Sequence, residues 1–222
     1  MIKGAIFDMD GTLLDSMSLW DKMGEDYLRS LGYEPRADVN EIFKSLSLYD
    51  AACFFKRDYG VTLSADEIVE SIDGIAEDFY KNRAELKNGA GDFLRKLGEK
   101  GVKMCIASST DRYLVEMALE RCGVLGCFSR IFTCTEVGSG KSEPTVYREA
   151  MKYMGTDRSD TVVVEDAYFA IKTAKKDGFR VAAVHDRHQP NQEGILSLSD
   201  HYMNDLSDFE GFWDFASAGG RS

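Results

Sequence analysis

Short apolar runs recur along this chain: Gly4 to Phe7, Val102 to Ala107, Ile131 to Cys134, Thr161 to Val164 and Arg180 to Val184. Each is rich in Val, Ile, Ala or Cys and lacks apolar–polar alternation, the pattern of strands covered on both faces of a parallel sheet. Helical spacing fills the gaps. Phe93, Leu94 and Leu97 lie on one face before Gly101, and Leu114, Met117, Ala118 and Arg121 repeat the spacing before Gly123. Tyr147, Ala150, Met151 and Met154 precede Gly155, and Ala170, Ile171 and Ala174 precede Gly178. A glycine just past each stripe is a helix stop. Strand and helix in alternation, with right-handed crossovers, predict an α/β protein with a doubly wound parallel sheet.

One segment departs from this rhythm. From Asp15 to about Leu86 no strand pattern occurs, only helical stripes. Trp20, Met23, Tyr27, Leu28 and Leu31 end at Gly32, and Leu48, Ala51, Ala52, Phe55 and Tyr59 end at Gly60. Ser64 and Glu67 have capping-box spacing, and Ile68, Ile72, Ile75, Ala76 and Phe79 follow. Amphipathic helices of this length bury their stripes against one another in a small bundle. The expected organisation is a sheet core of residues 1–14 and 86–222 carrying a helical cap of residues 15–85.

Composition narrows the class. The chain has 222 residues, 44% of them hydrophobic, so a substantial core can form. Its formal net charge of -11 argues against nucleic acid as a partner. A small phosphorylated substrate stays possible, because a cation and one lysine reverse the field locally. The five cysteines form no C-x-x-C pair and suit a reduced protein. The first residues break their apolar run with two aspartates, unlike a signal peptide, and no stretch has the length of a membrane span. The expectation is a soluble cytoplasmic protein without a membrane partner.

The first run delivers Asp8-Met9-Asp10-Gly11-Thr12. Residues two apart in extended backbone project to one side, so Asp8 and Asp10 share a face. Ligands bind beyond the carboxyl ends of the strands in an open α/β sheet. Two carboxylates there can divide nucleophilic and proton-transfer work. A calcium loop would need Gly at its sixth position and Glu at its twelfth, where Leu13 and Leu19 stand. A plain polar turn is the other alternative.

The second run ends in Ser108-Ser109-Thr110-Asp111, which can hold a phosphate oxygen or merely cap a helix. Gly138-Ser139-Gly140-Lys141-Ser142 lacks the leading glycine of a nucleotide P-loop, since position 135 is Thr135. Lys141, in a glycine-rich loop shortly before a helix start, is nevertheless well placed for a phosphate. The fourth run ends in Glu165-Asp166. Adjacent acids after a buried strand call for a positive partner, and a hard cation such as magnesium suits them.

These four sites, in this order on these strand ends, resemble the haloacid dehalogenase superfamily. The resemblance implies Asp8 as nucleophile, Asp10 as acid/base, Ser108 with Ser109 beside it as phosphate-binding residues, and Lys141 as the residue neutralising nucleophile and phosphoryl group. It implies a Mg2+ cofactor held by Asp8, the carbonyl of Asp10 and Asp166, with Glu165 ordering a water. The helical insert resembles the cap of the branch that includes β-phosphoglucomutase and phosphoglycolate phosphatase. Leu48 falls where a mutase would carry arginine, and Trp20 where it would carry histidine. Leu86-Lys87-Asn88-Gly89 stands where relatives usually have Pro before Gly. Trp20 and Lys44 are candidates for cap residues facing substrate. The implied activity is hydrolysis of a small phosphorylated metabolite by a monomer. A phosphosugar mutase is the alternative, and dehalogenation is disfavoured by the full acid set.

Overall fold

The computed structural model describes residues 1–46 and 48–218, with the side chains of Lys44 and Ser45 outside that description. The expectation for Lys44 therefore lies outside the described residues. Among the described residues no helix is long and apolar enough to cross a membrane.

The elements run β1 (Gly4–Phe7), α1 (Met17–Ser30), α2 (Val39–Ser45), α3 (Leu48–Tyr59), α4 (Ala65–Asn82) and α5 (Ala90–Glu99). They continue as β2 (Lys103–Ser108), α6 (Arg112–Arg121), β3 (Arg130–Thr133), α7 (Cys134–Val137), α8 (Thr145–Met154) and β4 (Thr161–Glu165). The last are α9 (Tyr168–Lys176), β5 (Arg180–Val184), α10 (Gln192–Leu198), β6 (His201–Met203) and α11 (Phe209–Ala218). The chain divides into two compact units, Met1–Asp15 with Ala84–Ser222, and Ser16–Arg83.

The first unit is built on a parallel sheet in the order β3-β2-β1-β4-β5-β6. All five expected strands are present. Because successive strand residues point to opposite faces, Ile6, Cys105, Ala107, Val163, Val181 and Ala183 line one side. They pack on Val146, Tyr147, Ala150 and Met154 of α8 and on Ile171 and Ala174 of α9. On the other side Phe7 meets Phe93 edge-on at 6.2 Å, and Phe93 meets Phe212 at 4.8 Å. Burial on both faces explains why the strands read as unbroken apolar runs.

Two details depart from the sequence reading. The apolar run extends the third strand to Cys134, but Cys134 opens α7. The Thr133 hydroxyl accepts from Glu136 N at 3.3 Å while Glu136 accepts from Thr133 N at 3.4 Å, and this capping box starts the helix. A sixth strand, β6, pairs with β5 at the sheet edge. Three residues are too few to show a period.

The second unit contains α1 to α4. Met23, Tyr27, Leu28, Val39, Phe43, Phe55, Ile68 and Ile72 form its core. Phe55 stacks between Tyr27 and Phe43, each at 6.0 Å. Ser64 and Glu67 form the expected capping box at the start of α4. The buried stripe of α4 runs Ile68, Ile72, Ala76 and Tyr80, so Tyr80 is buried and Phe79 only half-buried.

The unit boundaries fall close to where the chain passes in and out of the sheet core. Asp15 N donates to Glu85 O at 3.0 Å, and Lys87 N donates to Leu13 O at 2.8 Å. Leu14 and Leu86 form an isolated bridge between these hydrogen bonds. The outgoing and returning segments are thus laced to each other within the first unit.

Candidate active site

Sheet order places β1 between β2 and β4, so three strand ends that carry polar residues lie side by side. Chain order reverses around β1, which is where open α/β sheets form their ligand crevice. Asp8 extends the ladder one residue past β1, its N–H donating to Val164 O at 3.0 Å. Glu165 is the last residue of β4, and Asp166 follows it. Met9 turns into the core and is fully buried.

Lys141 joins these acids. Its Nζ donates to Asp8 Oδ1 and, at 2.6 Å, to Glu165 Oε1. The side chains of Lys141 and Glu165 are only 4% and 1% exposed. A buried ammonium is tolerated only when paired in this way. Burial opposes its charge, but the carboxylates of Asp8 and Glu165 hold the lysine pKa well above its ordinary value. Tyr147 OH also donates to Glu165 Oε1, at 3.0 Å. Glu165 Oε2 accepts from Asp166 N at 3.1 Å and Ala167 N at 3.2 Å. Glu165 thus accepts four hydrogen bonds, two on each oxygen, which saturates an acceptor-only carboxylate.

Asp166 is differently placed. Its Oδ1 accepts from Thr12 Oγ1 and its Oδ2 from Gln189 Nε2, both at 2.9 Å. Each oxygen keeps capacity for a further partner. Carboxylate oxygens of Asp8, Glu165 and Asp166 lie within 4.8 Å of one another. Burial raises the Asp8 carboxyl to about 7, against the opposing charge of Lys141. Burial also pushes Asp166 well above the carboxylate range, with Asp8 and Glu165 adding to the effect. Three buried carboxylates face one ammonium, and every donor atom is a hard oxygen. That donor set fits a hard divalent cation, with Asp8 and Asp166 as the carboxylates left with capacity to hold it.

The remaining expected residues are placed as follows. Asp10 Oδ2 accepts from Thr110 Oγ1 at 2.7 Å. Its carboxylate is outside the three-acid cluster, so the metal expectation for Asp10 rests on its backbone carbonyl. Ser108 is buried at the end of β2, and its Oγ accepts from Thr110 N at 3.0 Å, turning the chain toward α6. Ser109 is exposed and lies 3.6 Å from Cys134 Sγ. The α6 cap is Asp111, without a side-chain bond to the helix, so Ser108 and Ser109 are not its caps. In the helical unit, Trp20 is half-buried and its Nε1 donates to Tyr80 OH at 3.1 Å. Thr12, Thr110, Tyr147 and Gln189 were not identified from the sequence as partners of the acids. Thr12 and Thr110 sit within the motifs that were recognised, which was the only available signal for them.

A family model described as haloacid dehalogenase-like hydrolase matches residues 5–184. The bifunctional riboflavin kinase/FMN phosphatase of Arabidopsis thaliana is 27% identical over 208 residues, 91% of this chain. The match covers 53% of that protein, so the chain spans about half its length. Hexitol phosphatase B of Escherichia coli K12 is 27% identical over 195 residues, covering 85% of this chain and 87% of that one. Among solved structures, β-phosphoglucomutase from Clostridium difficile superposes with a TM-score of 0.73 at 15% identity, covering 98% of each chain. At that identity the likeness is one of fold.

Proposed function

The chain belongs to the haloacid dehalogenase-like hydrolase family, and from that premise we propose that it is a magnesium-dependent phosphatase of a small phosphomonoester, a sugar phosphate being the leading candidate. The observation that carries this reading is Lys141 Nζ bonded at once to Asp8 and Glu165. An ammonium fixed there holds the nucleophile's carboxylate and offsets the charge of an incoming phosphoryl group.

Asp8 attacks phosphorus in line and displaces the alkoxide, while Asp10, steadied by Thr110, gives the leaving oxygen its proton. Asp10 then takes a proton from water as that water attacks the aspartyl phosphate, releasing inorganic phosphate and restoring Asp8. Ser108 is the proposed phosphate-binding hydroxyl. Asp8, Asp166 and the carbonyl of Asp10 would hold magnesium, with saturated Glu165 steadying the site around it. When bound, the ion supplies charge to the phosphoryl oxygens. The helical unit is the proposed cap. Both named phosphatase relatives support this reading.

The test is phosphate release from a panel of phosphomonoesters with Mg2+, using wild type and Asp8→Asn. We expect turnover that is lost on chelation and abolished in Asp8→Asn, with the fold retained by circular dichroism. Wild-type turnover in Asp8→Asn overturns the mechanism, and indifference to chelation overturns the metal's part in it.

A further inference from the structure

The turn after β5 reaches back to the acids at the end of β4. Gln189 Nε2 donates to Asp166 Oδ2 at 2.9 Å, and Thr12 Oγ1 donates to the other oxygen at 2.9 Å. A carboxylate oxygen only accepts, so the amide must present its NH2 face. The turn itself is fixed from several directions. Asp186 O accepts from Gln189 N at 3.1 Å, and Asp186 Oδ1 accepts from His188 N at 2.8 Å. Gln192 Nε2 donates to Asp186 O at 2.6 Å and Gln189 O at 3.0 Å. On the other side, Lys87 Nζ lies 2.8 Å from Asp186 Oδ2 and 2.7 Å from His185 O. Asp186 is 2% exposed, so its pairing with Lys87 is a buried anchor, costly to break.

We propose that Gln189 is a positioning residue for Asp166, holding its carboxylate in the orientation that accepts the divalent cation. This role rests on the reading of Asp166 as a cation ligand given above. One donor on each oxygen fixes the carboxylate plane and leaves each oxygen capacity for a cation. The carboxylates of Asp8 and Glu165 lie close by, and without the amide Oδ2 loses a donor where like charges already crowd it. Asn at this position is one methylene too short for the same contact, and Leu keeps the bulk without the donor.

The test titrates the full, metal-free chain with MgCl2 by calorimetry, and with Mn2+ by electron paramagnetic resonance, comparing wild type with Gln189→Leu. We expect the Mg2+ Kd to rise about tenfold or more. The melting temperature of the metal-free protein and the substrate KM at saturating Mg2+ should stay at wild-type values, which separates positioning from a structural role. A wild-type Mg2+ Kd in Gln189→Leu overturns the proposal. Should Gln189→Leu melt lower, Gln189→Asn decides by the same constant: weaker binding supports positioning, and wild-type binding overturns it. The titration needs no substrate. A chain whose magnesium binding weakens in Gln189→Leu but that hydrolyses no phosphomonoester defeats the functional reading alone, and a magnesium-dependent phosphatase whose magnesium Kd is indifferent to Gln189→Leu defeats this inference alone.

Discussion

Thr110 Oγ1 donates to Asp10 Oδ2 at 2.7 Å, tying the segment after β2 to the second carboxylate after β1. The same residue's N–H is held by Ser108 Oγ, so the proposed phosphate-binding serine and the proposed acid/base share one threonine. Thr110→Val keeps the shape and removes the hydroxyl. Asp10 is a carboxylate when it activates water in the proposed second step, and a hydrogen bond to a charged group is worth about 1.5–3 kcal/mol, while about 1.4 kcal/mol in a barrier is tenfold in rate. We expect kcat to fall about tenfold or more with KM little changed, measured as phosphate release at saturating magnesium. An unchanged kcat would remove Thr110 from the account.

Metal binding should depend on pH with a defined sign. Burial raises Asp8 to about 7 in the metal-free protein, and Asp166 is raised by the same cause. A raised carboxyl pKa means the acid keeps its proton at pH values where a free carboxylate has lost it. A cation takes the deprotonated form, so it must displace that proton below about pH 7. Magnesium affinity should therefore climb from pH 5.5 to about 7, by about tenfold per unit for each proton displaced. The part of that slope due to Asp8 should flatten above about pH 7, where its carboxyl ionises without help. Calorimetry in two buffers of different ionisation heat counts the protons released at pH 6. Equal affinity at pH 6 and pH 8 would contradict this.

Much of this arrangement could be read from local pattern, and the rest depends on contacts that no local pattern contains. Asp8, Ser108 and Glu165 stand at the ends of apolar runs, so their placement follows once those runs form adjacent parallel strands. Gln189 lies in an irregular turn, and its partner Asp166 is fixed by tertiary packing. The helical spacing marks Tyr147 as a core residue of α8, which it is, yet its hydroxyl donates to Glu165. Periodicity reports which face a side chain takes and is blind to the polar atom at its tip. Phe79 and Tyr80 show the opposite failure, since two adjacent aromatics leave a helical stripe ambiguous by one position.

The segment Leu86-Lys87-Asn88-Gly89 also makes a stability prediction. Gly89 has φ +80, and a Cβ there would sit 2.4 Å from Ser207 N and 2.5 Å from Leu206 C. Those are backbone atoms, held in part by Leu206 N donating to Asn88 O at 3.1 Å. Left-handed backbone alone costs a residue with a Cβ about 1–2 kcal/mol, and the clash adds to it. Gly89→Ala should lower stability by more than about 2 kcal/mol, read from urea unfolding. A loss below about 0.5 kcal/mol, within the range of an ordinary surface change, would show that the turn yields.

Under the proposed reading of the helical unit as a cap, the choice between hydrolysis and phosphosugar isomerisation turns on that unit, because both activities would share the core residues. Isomerisation through a bisphosphate needs a second phosphate site and a group that favours sugar over water as acceptor. Leu48, at the start of α3, carries no charge for the first task. Arg57 and Arg83 are the alternative guanidiniums. Arg57 pairs with Asp58 at 2.6 Å and lies over the Phe54 ring, and Arg83 pairs with Asp78 at 3.0 Å over Phe79. Exposed pairs of this kind are worth at most about 1 kcal/mol, so they weigh against recruitment without forbidding it. Trp20 decides more. An indole has one donor and no acceptor, and that donor already serves Tyr80 OH, so Trp20 cannot shuttle the proton that would steer a phospho-aspartate to a second sugar hydroxyl. We expect inorganic phosphate from hexose monophosphates and no interconversion of 1- and 6-phosphates, followed by phosphorus NMR with catalytic hexose bisphosphate present. Isomerisation of β-glucose 1-phosphate faster than phosphate release would reverse the assignment and require one of those arginines to leave its pair.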